Sequence, residues 1–117
     1  MKTIIAGSRS ITNYALIDSV INDSEFLITE IVSGTARGVD RLGELWGEAH
    51  GISIKRFPAN WKELGKSAGF KRNIQMADYA DALIVIILNN SNGSEHMLAE
   101  AFKRKLQVFV HRINDAN

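Results

Sequence analysis

The amino-acid sequence predicts a single three-layer α/β domain on a mostly parallel five-stranded sheet. Short apolar runs alternate with stretches whose apolar residues recur at helical spacing, as strands and helices in turn would require. One run, Ala82-Leu83-Ile84-Val85-Ile86-Ile87-Leu88, has no polar alternation at all, which marks a central strand covered on both faces. Three small-residue turns each follow an apolar run, the first two directly and the third after three polar residues: Gly7-Ser8-Arg9-Ser10, Ser33-Gly34-Thr35-Ala36-Arg37-Gly38 and Asn92-Gly93-Ser94. With right-handed crossovers all three fall on the carboxyl edge of the sheet, where ligands of such sheets sit.

The elements follow in order. Thr3 to Ala6 is a short strand bounded by Gly7, and Leu16, Ile17, Val20 and Ile21 form a helical stripe between Tyr14 and Ser24. Ile28 to Val32 is the second strand. Val39, Leu42, Leu45, Trp46 and Ala49 then make the stripe of a second helix, ended by the turn at Gly51. Ile52 to Phe57 is a third strand stopped by Pro58, and Asn60 to Gly69 is the longest irregular stretch. A third helix is expected from about Ala68 to Tyr79 with Phe70, Ile74 and Ala77 inward. After the fourth strand, Met97, Leu98, Ala101 and Phe102 mark a fourth helix. Val108 to Val110 is the fifth strand, and Arg112 to Asn117 reads as a frayed tail.

A chain of 117 residues forms one domain, 1–117, able to bury around two-thirds of its unfolded surface. It contains no cysteine, so no disulfide supports it, and no metal or cofactor is called for. The N-terminal apolar run is too short for a secretory signal or a membrane span, so a cytoplasmic protein without a membrane partner is expected. Net charge is +1, which argues against general attraction to nucleic acid. The charge is nevertheless uneven. Between Lys55 and Asn73 six cations face Glu63 alone, a net +5 that leaves −4 for the rest. Such a stretch is either a solvated face or the cationic wall of a binding site.

A strand-to-helix turn exposes the first N–H groups of its helix and the positive end of the helix dipole, so it favours an anion. Any one of these turns is explained by chain reversal alone. Arg9, Arg37 and Arg72 are not explained that way, and a guanidinium is suited to two-pronged contact with phosphate. The expected ligand-binding residues are therefore Gly7, Ser8, Arg9, Gly34, Thr35, Arg37, Gly38, Asp40, Arg72, Asn73, Gly93 and Ser94. No spaced-glycine dinucleotide fingerprint and no GxxxxGK[ST] motif is present, which weakens readings based on NAD or ATP.

Several of these residues carry a plainer reading as well. Asp40, two residues past Gly38, can serve the dipole of the second helix or contact a ribose. His96 is read as an exposed polar residue in the first turn of its helix, with an active role as the alternative. Trp61 can stack on a base or cap the core. Trp46, Met76 and Met97 are read as packing, and Lys71 and Arg72 can pair with acidic neighbours on their own helix.

Taken together, the set G-S-R at residues 7–9, S-G-x-A-R-G-V-D-R-L at 33–42, F-P-A-x-W at 57–61, G-K-x-A-G-x-x-R-N-x-x-M at 65–76 and G-S-x-H-M-L at 93–98 resembles the YspA-like branch of the SLOG superfamily. The resemblance spans nearly the whole chain and implies a Rossmann-like fold. It also implies binding of a nucleotide or nucleotide-derived small molecule such as an ADP-ribose relative. Related proteins often form dimers, so a second copy of the chain is an expected partner.

One enzymatic branch of that superfamily, the cytokinin-activating LOG proteins, hydrolyses the N-glycosidic bond of nucleoside monophosphates. Arg72 to Met76 and Asp81 to Ile84 are similar to elements of that branch, and Gly93-Ser94 stands where it has Gly-Thr. Its catalytic glutamate comes three residues after the threonine, and here that position is Met97. Hydrolysis would need a relocated acid or base, for which Glu95, Asp40 and His96 are the candidates. One or two positions along a helix rotate a side chain by about 100–200°, so neither Glu95 nor His96 is a simple substitute. The sequence thus leaves a ligand-binding module, a phosphoribohydrolase and, on the basic stretch alone, a DNA-binding domain.

Overall fold

The computed structural model describes residues 1–114, and in it every strand runs parallel to its neighbours. The elements are β1 (Lys2–Gly7), α1 (Tyr14–Ser24), β2 (Glu30–Ser33), α2 (Val39–Ala49), β3 (Ser53–Arg56), α3 (Trp61–Leu64), α4 (Ala68–Tyr79), β4 (Ala82–Leu88), α5 (Asn92–Lys103) and β5 (Gln107–Ile113), with a 3₁₀ turn at Gly65–Ser67. The sheet order is β3-β2-β1-β4-β5. The chain therefore winds outward from β1 to β3, then returns to β4 on the other side of β1. A crevice opens beyond the carboxyl ends of β1 and β4, where the order reverses.

Helices cover both faces of the sheet. Ile17, Val20 and Ile21 of α1 and Val39 and Trp46 of α2 pack against Ile5, Ile31, Ile84 and Ile86. On the opposite face Met76 and Ala77 of α4 and Met97 and Ala101 of α5 pack against Ile4, Leu83, Val85 and Ile87. The unbroken apolar run of β4 follows from this position, since Ala82 to Ile87 have no solvent-exposed surface. Each large side chain buried in this way contributes about 1.5–3 kcal/mol relative to exposure. Trp46 lies in the core as expected, and its indole N–H donates to Asp18 Oδ1 at 2.9 Å, which ties α2 to α1.

Four local expectations are corrected. The stretch before α4 is not wholly irregular: the Asn60 side chain accepts from Glu63 N–H at 3.3 Å and donates to Glu63 Oε2 at 3.1 Å, which starts a one-turn helix. Phe70 and Ile74 face outward, 45% and 37% exposed, because the inward face of α4 is Ala68, Asn73, Met76 and Ala77. Leu45 is likewise 37% exposed, so the apolar stripe of α2 is narrower than its spacing suggested. Finally, β5 continues through Arg112 and Ile113, in register with Ile87 and Leu88. Those two residues are strand, not tail, and 115–117 of that expected tail lie outside the described residues.

Candidate functional site

A cavity of about 780 Å³ occupies the crevice at the switch point, and its walls come from all three small-residue turns. Gly7, Ser8 and Arg9 enter from the end of β1, Ala36, Arg37 and Asp40 from the turn into α2, and Asn92, Gly93 and Ser94 from the start of α5. Arg72 and Asn73 of α4 close the fourth side. A second cavity of about 510 Å³ adjoins it, lined by Gly34, Thr35, Pro58 and Ala59. Arg9, Arg37, Arg72 and Trp61 line both.

The turns are held together by hydrogen bonds that use their small side chains and backbone. Ser8, buried, donates its N–H to Ile86 O at 3.1 Å and accepts Leu88 N–H on Oγ at 2.9 Å, which joins the ends of β1 and β4. The next turn needs glycine twice. Gly38 sits at φ +78°, and a Cβ there would meet the backbone of Ser8 and Arg9 at 2.5–2.6 Å. A Cβ on Gly34 would meet the Arg72 guanidinium at 2.6 Å and the Asp40 carboxylate at 2.7 Å. The closeness of these two charged groups around the Gly34 backbone is what glycine permits. α2 and α5 also begin without a side-chain cap, whereas α1 and α3 are capped by Asn13 and Asn60. The dipoles of two uncapped helices thus open toward the crevice.

Asp40 and Arg72 are the electrostatic centre. Asp40 is only 5% exposed; burial pushes its carboxyl up to about 6, against the pull of Arg72 and of the Ala36 N–H that donates to Oδ2 at 3.2 Å. Burial also lowers the proton affinity of the Arg72 guanidinium, with Asp40 acting against that and Arg9 with it. Arg72 is not a free rim residue, because its guanidinium donates to the Gly34 carbonyl and, through Nε, to Asn73 Oδ1 at 3.1 Å. The expected pairing of Arg72 with acids of its own helix is replaced by these contacts. Asn73 donates from Nδ2 to Gly93 O at 3.2 Å, so α4 physically joins the second turn to the third. Arg9 and Arg37 form no ion pair among the described residues, and Arg9 lies 5.9 Å from the Trp61 ring centroid.

The sequence-derived candidates divide accordingly. Gly7, Ser8, Arg9, Arg37, Asp40, Arg72, Asn73, Gly93 and Ser94 line the larger cavity, Gly34 and Thr35 the smaller. Gly38 lines neither and serves the turn. Glu95 is not brought to the cavity: it is half-buried and bridges Arg112 of β5 with bonds of 2.8 and 3.2 Å, which hold its carboxyl below the usual range. His96 also stands outside the lining but is not simply an exposed polar group, because its ring packs at a tilt against Phe70 and meets Asn73.

Trp61, 49% exposed, lines the mouth and does not cap the core. Sequence reasoning missed Phe70 and Lys66 as lining residues, and it treated Met76 and Met97 as packing alone. Both methionines are buried, yet they also form the apolar floor. The position of Met97 in place of the hydrolase glutamate was the available signal. Among the described residues no three His, Asp or Glu side chains are gathered to hold a metal, and no helix is long and apolar enough to cross a membrane.

Comparison with known proteins agrees with this architecture. Among solved structures, DNA processing protein A (DprA) from Streptococcus pneumoniae aligns with a TM-score of 0.75 at 20% identity, over 93% of this chain and 49% of that one. The chain thus spans about half of that structure, and the likeness is one of fold. The Gene 61 protein of Mycobacterium phage D29 is 33% identical over 84 residues, 67% of this chain and 67% of that protein. Residues 1–64, which carry the first two turns, match the YAcAr family, described as YspA, cpYpsA-related SLOG. The chain belongs to the YspA and cpYpsA-related SLOG family.

Proposed function

We propose that the chain binds a nucleotide or nucleotide-derived small molecule, such as an ADP-ribose relative, in the crevice at the switch point. The observation that carries this reading is that three strand exits share one cavity with three arginines, none of which forms an ion pair among the described residues, although Asp40 acts on Arg72 electrostatically. A phosphate is suited to the border where Arg9, Arg37 and Arg72 line both cavities. A base or other planar group is suited to Trp61 and Phe70 over the methionine floor. A long DNA strand is less well served. Of the basic stretch between Lys55 and Asn73, Arg56 is already engaged by Glu44 and Glu48.

A second reading is supported by Asp40. A cavity carboxyl with a pKa near 6 can donate a proton close to neutrality, as a phosphoribohydrolase would need. Binding without turnover remains the stronger reading, because Met97 stands where the resembled hydrolases have their glutamate. One experiment tests both: titrate AMP and ADP-ribose calorimetrically, and assay each mixture chromatographically for free base. Saturable binding without base release is the expected result. A single well-placed acid contributes ~10²–10⁴-fold in rate, so release well above buffer would establish the hydrolase reading. Absence of binding by both compounds would overturn this ligand class.

A further inference from the structure

Asn73 is buried, and its side-chain amide has partners that leave no choice of orientation. Arg72 Nε, 3.1 Å from Oδ1, can only donate, and the Gly93 carbonyl, 3.2 Å from Nδ2, can only accept. One Nδ2 hydrogen remains, and at 3.2 Å from Nδ2 stands His96 Nδ1. That ring nitrogen must therefore offer a lone pair. The proton of the neutral imidazole is then on Nε2, the nitrogen 3.6 Å from Glu100 Oε2. The Phe70 ring, 4.4 Å away between centroids, holds the imidazole from another side. A continuous chain runs from Glu100 through His96, Asn73 and Arg72 to the Gly34 carbonyl, across α5, α4 and the turn after β2.

We propose that His96 is a positioning residue for the ligand site: by accepting from Asn73 it locks the amide that aims Arg72, so the site holds a phosphate ligand tightly only while His96 is neutral. This rests on the binding reading given above. Protonation would set Nδ1–H against Nδ2–H. Turning the Asn73 amide to relieve that clash would oppose Nδ2 to Arg72 Nε–H and Oδ1 to the Gly93 carbonyl. In either case the Asn73 acceptor at Arg72 Nε is disturbed, and the guanidinium is left with the Gly34 carbonyl alone.

The groups facing His96 are Phe70 and Asn73 from α4 and Glu100, Lys103 and Arg104 from its own helix. Burial lowers its proton affinity first; Glu100 opposes this, and Lys103 and Arg104 add to it. The neutral form is thereby favoured at pH 7. Asp40 titrates in the same cavity with opposite sign for an anion, since its protonation removes a negative charge there.

The test has a ligand-free arm and a binding arm. In ¹⁵N spectra of the imidazoles, with His96→Asn supplying the assignment, the His96 ring is expected as the Nε2–H form. The Arg72 Nε–H signal is expected to move with the His96 titration and to lose that response in His96→Asn. An Nδ1–H ring, or an Arg72 signal indifferent to the titration, overturns the proposal. In the second arm AMP affinity is measured from pH 8 to pH 5 as a ratio of wild type to His96→Asn, in which the Asp40 contribution cancels. The Asn oxygen can accept in place of Nδ1 but does not titrate.

The ratio should stay within about twofold of unity at pH 8 and fall by up to about tenfold across the pH range in which the first arm shows His96 to titrate, the effect of one hydrogen bond to a charged group. His96→Phe, which keeps a ring against Phe70 but not the acceptor, should already be about tenfold weaker at pH 8. A flat ratio overturns the proposal. Failure of AMP to bind wild type at any pH would instead remove the binding reading, and the first arm would still decide whether His96 positions Arg72.

Discussion

The first turns of α2 and α5 begin alike and end differently. Each follows a parallel strand at the crevice, each lacks a side-chain cap, and each carries one acidic residue, Asp40 or Glu95. Asp40, the second residue of α2, turns back into the cavity toward Ala36 N–H and Arg72, and burial raises its pKa. Glu95, the fourth residue of α5, turns out to Arg112 on β5, and that cation lowers its pKa. Two positions along a helix amount to about 200° of rotation, enough to carry a carboxylate from the cavity to solvent. Azimuth, more than nearness to a glycine turn, decides which acid the site receives.

The largest test of this contrast is Arg72→Ala. It removes the cation that acts on Asp40 and the donor to Gly34, and anion binding should weaken by about 1.5–3 kcal/mol, tenfold or more. Stability should fall as well, because Arg72 is half-buried and tied to two neighbours. The loss in denaturant midpoint should be greater at pH 7, where ionisation of Asp40 no longer has the Arg72 attraction to favour it, than near pH 4, where Asp40 is protonated with or without Arg72. An equal loss at both values would mean that the Arg72 charge does not act on Asp40.

How much of this was legible in the sequence differs by level. The strand and helix order was readable because burial imposes it directly, as the unbroken run of β4 shows. The three turns were readable because a sharp reversal and close backbone contact select glycine and serine. Phe70 and Ile74 were misread because both sit at core spacing, while the true inward face of α4 includes the polar Asn73, two of whose partners lie 20 and more residues away in the chain. The length of β5 was not legible either. An Arg in its penultimate position looks like a tail until Glu95 is seen to pair with it.

A smaller effect is expected from Asp40→Asn, with its sign set by the raised pKa. The folded protein binds this proton more tightly than the unfolded chain, so the associated stability is fully present below pH 3.8 and is lost as pH rises through about 6. Ionising such a carboxyl above pH 6 costs about 3 kcal/mol. That cost already includes the opposing attraction of Arg72, and the neutral amide can still accept from Ala36 N–H, so the net gain at pH 7 should not exceed about 3 kcal/mol. Below pH 3.8 urea melts of the two proteins should coincide. Destabilisation by Asp40→Asn at pH 7 would show that the attraction to Arg72 outweighs burial.

Glu95→Gln should have the least effect, and for that reason it sharpens the comparison most cleanly. Its carboxylate is solvent-exposed and joined to an exposed arginine, and such pairs contribute little to folding. AMP affinity and thermal midpoint should both match wild type within measurement scatter, because the group neither lines the cavity nor touches a residue that does so among the described contacts. If AMP is hydrolysed at all, release of base should survive in Glu95→Gln and vanish in Asp40→Asn, since only the latter loses a proton donor that faces the ligand. The converse pattern, release abolished by Glu95→Gln and retained in Asp40→Asn, would mean that the first turn of α5 rotates or unwinds when ligand binds. Helix azimuth in the ligand-free chain would then be no guide to which acid acts.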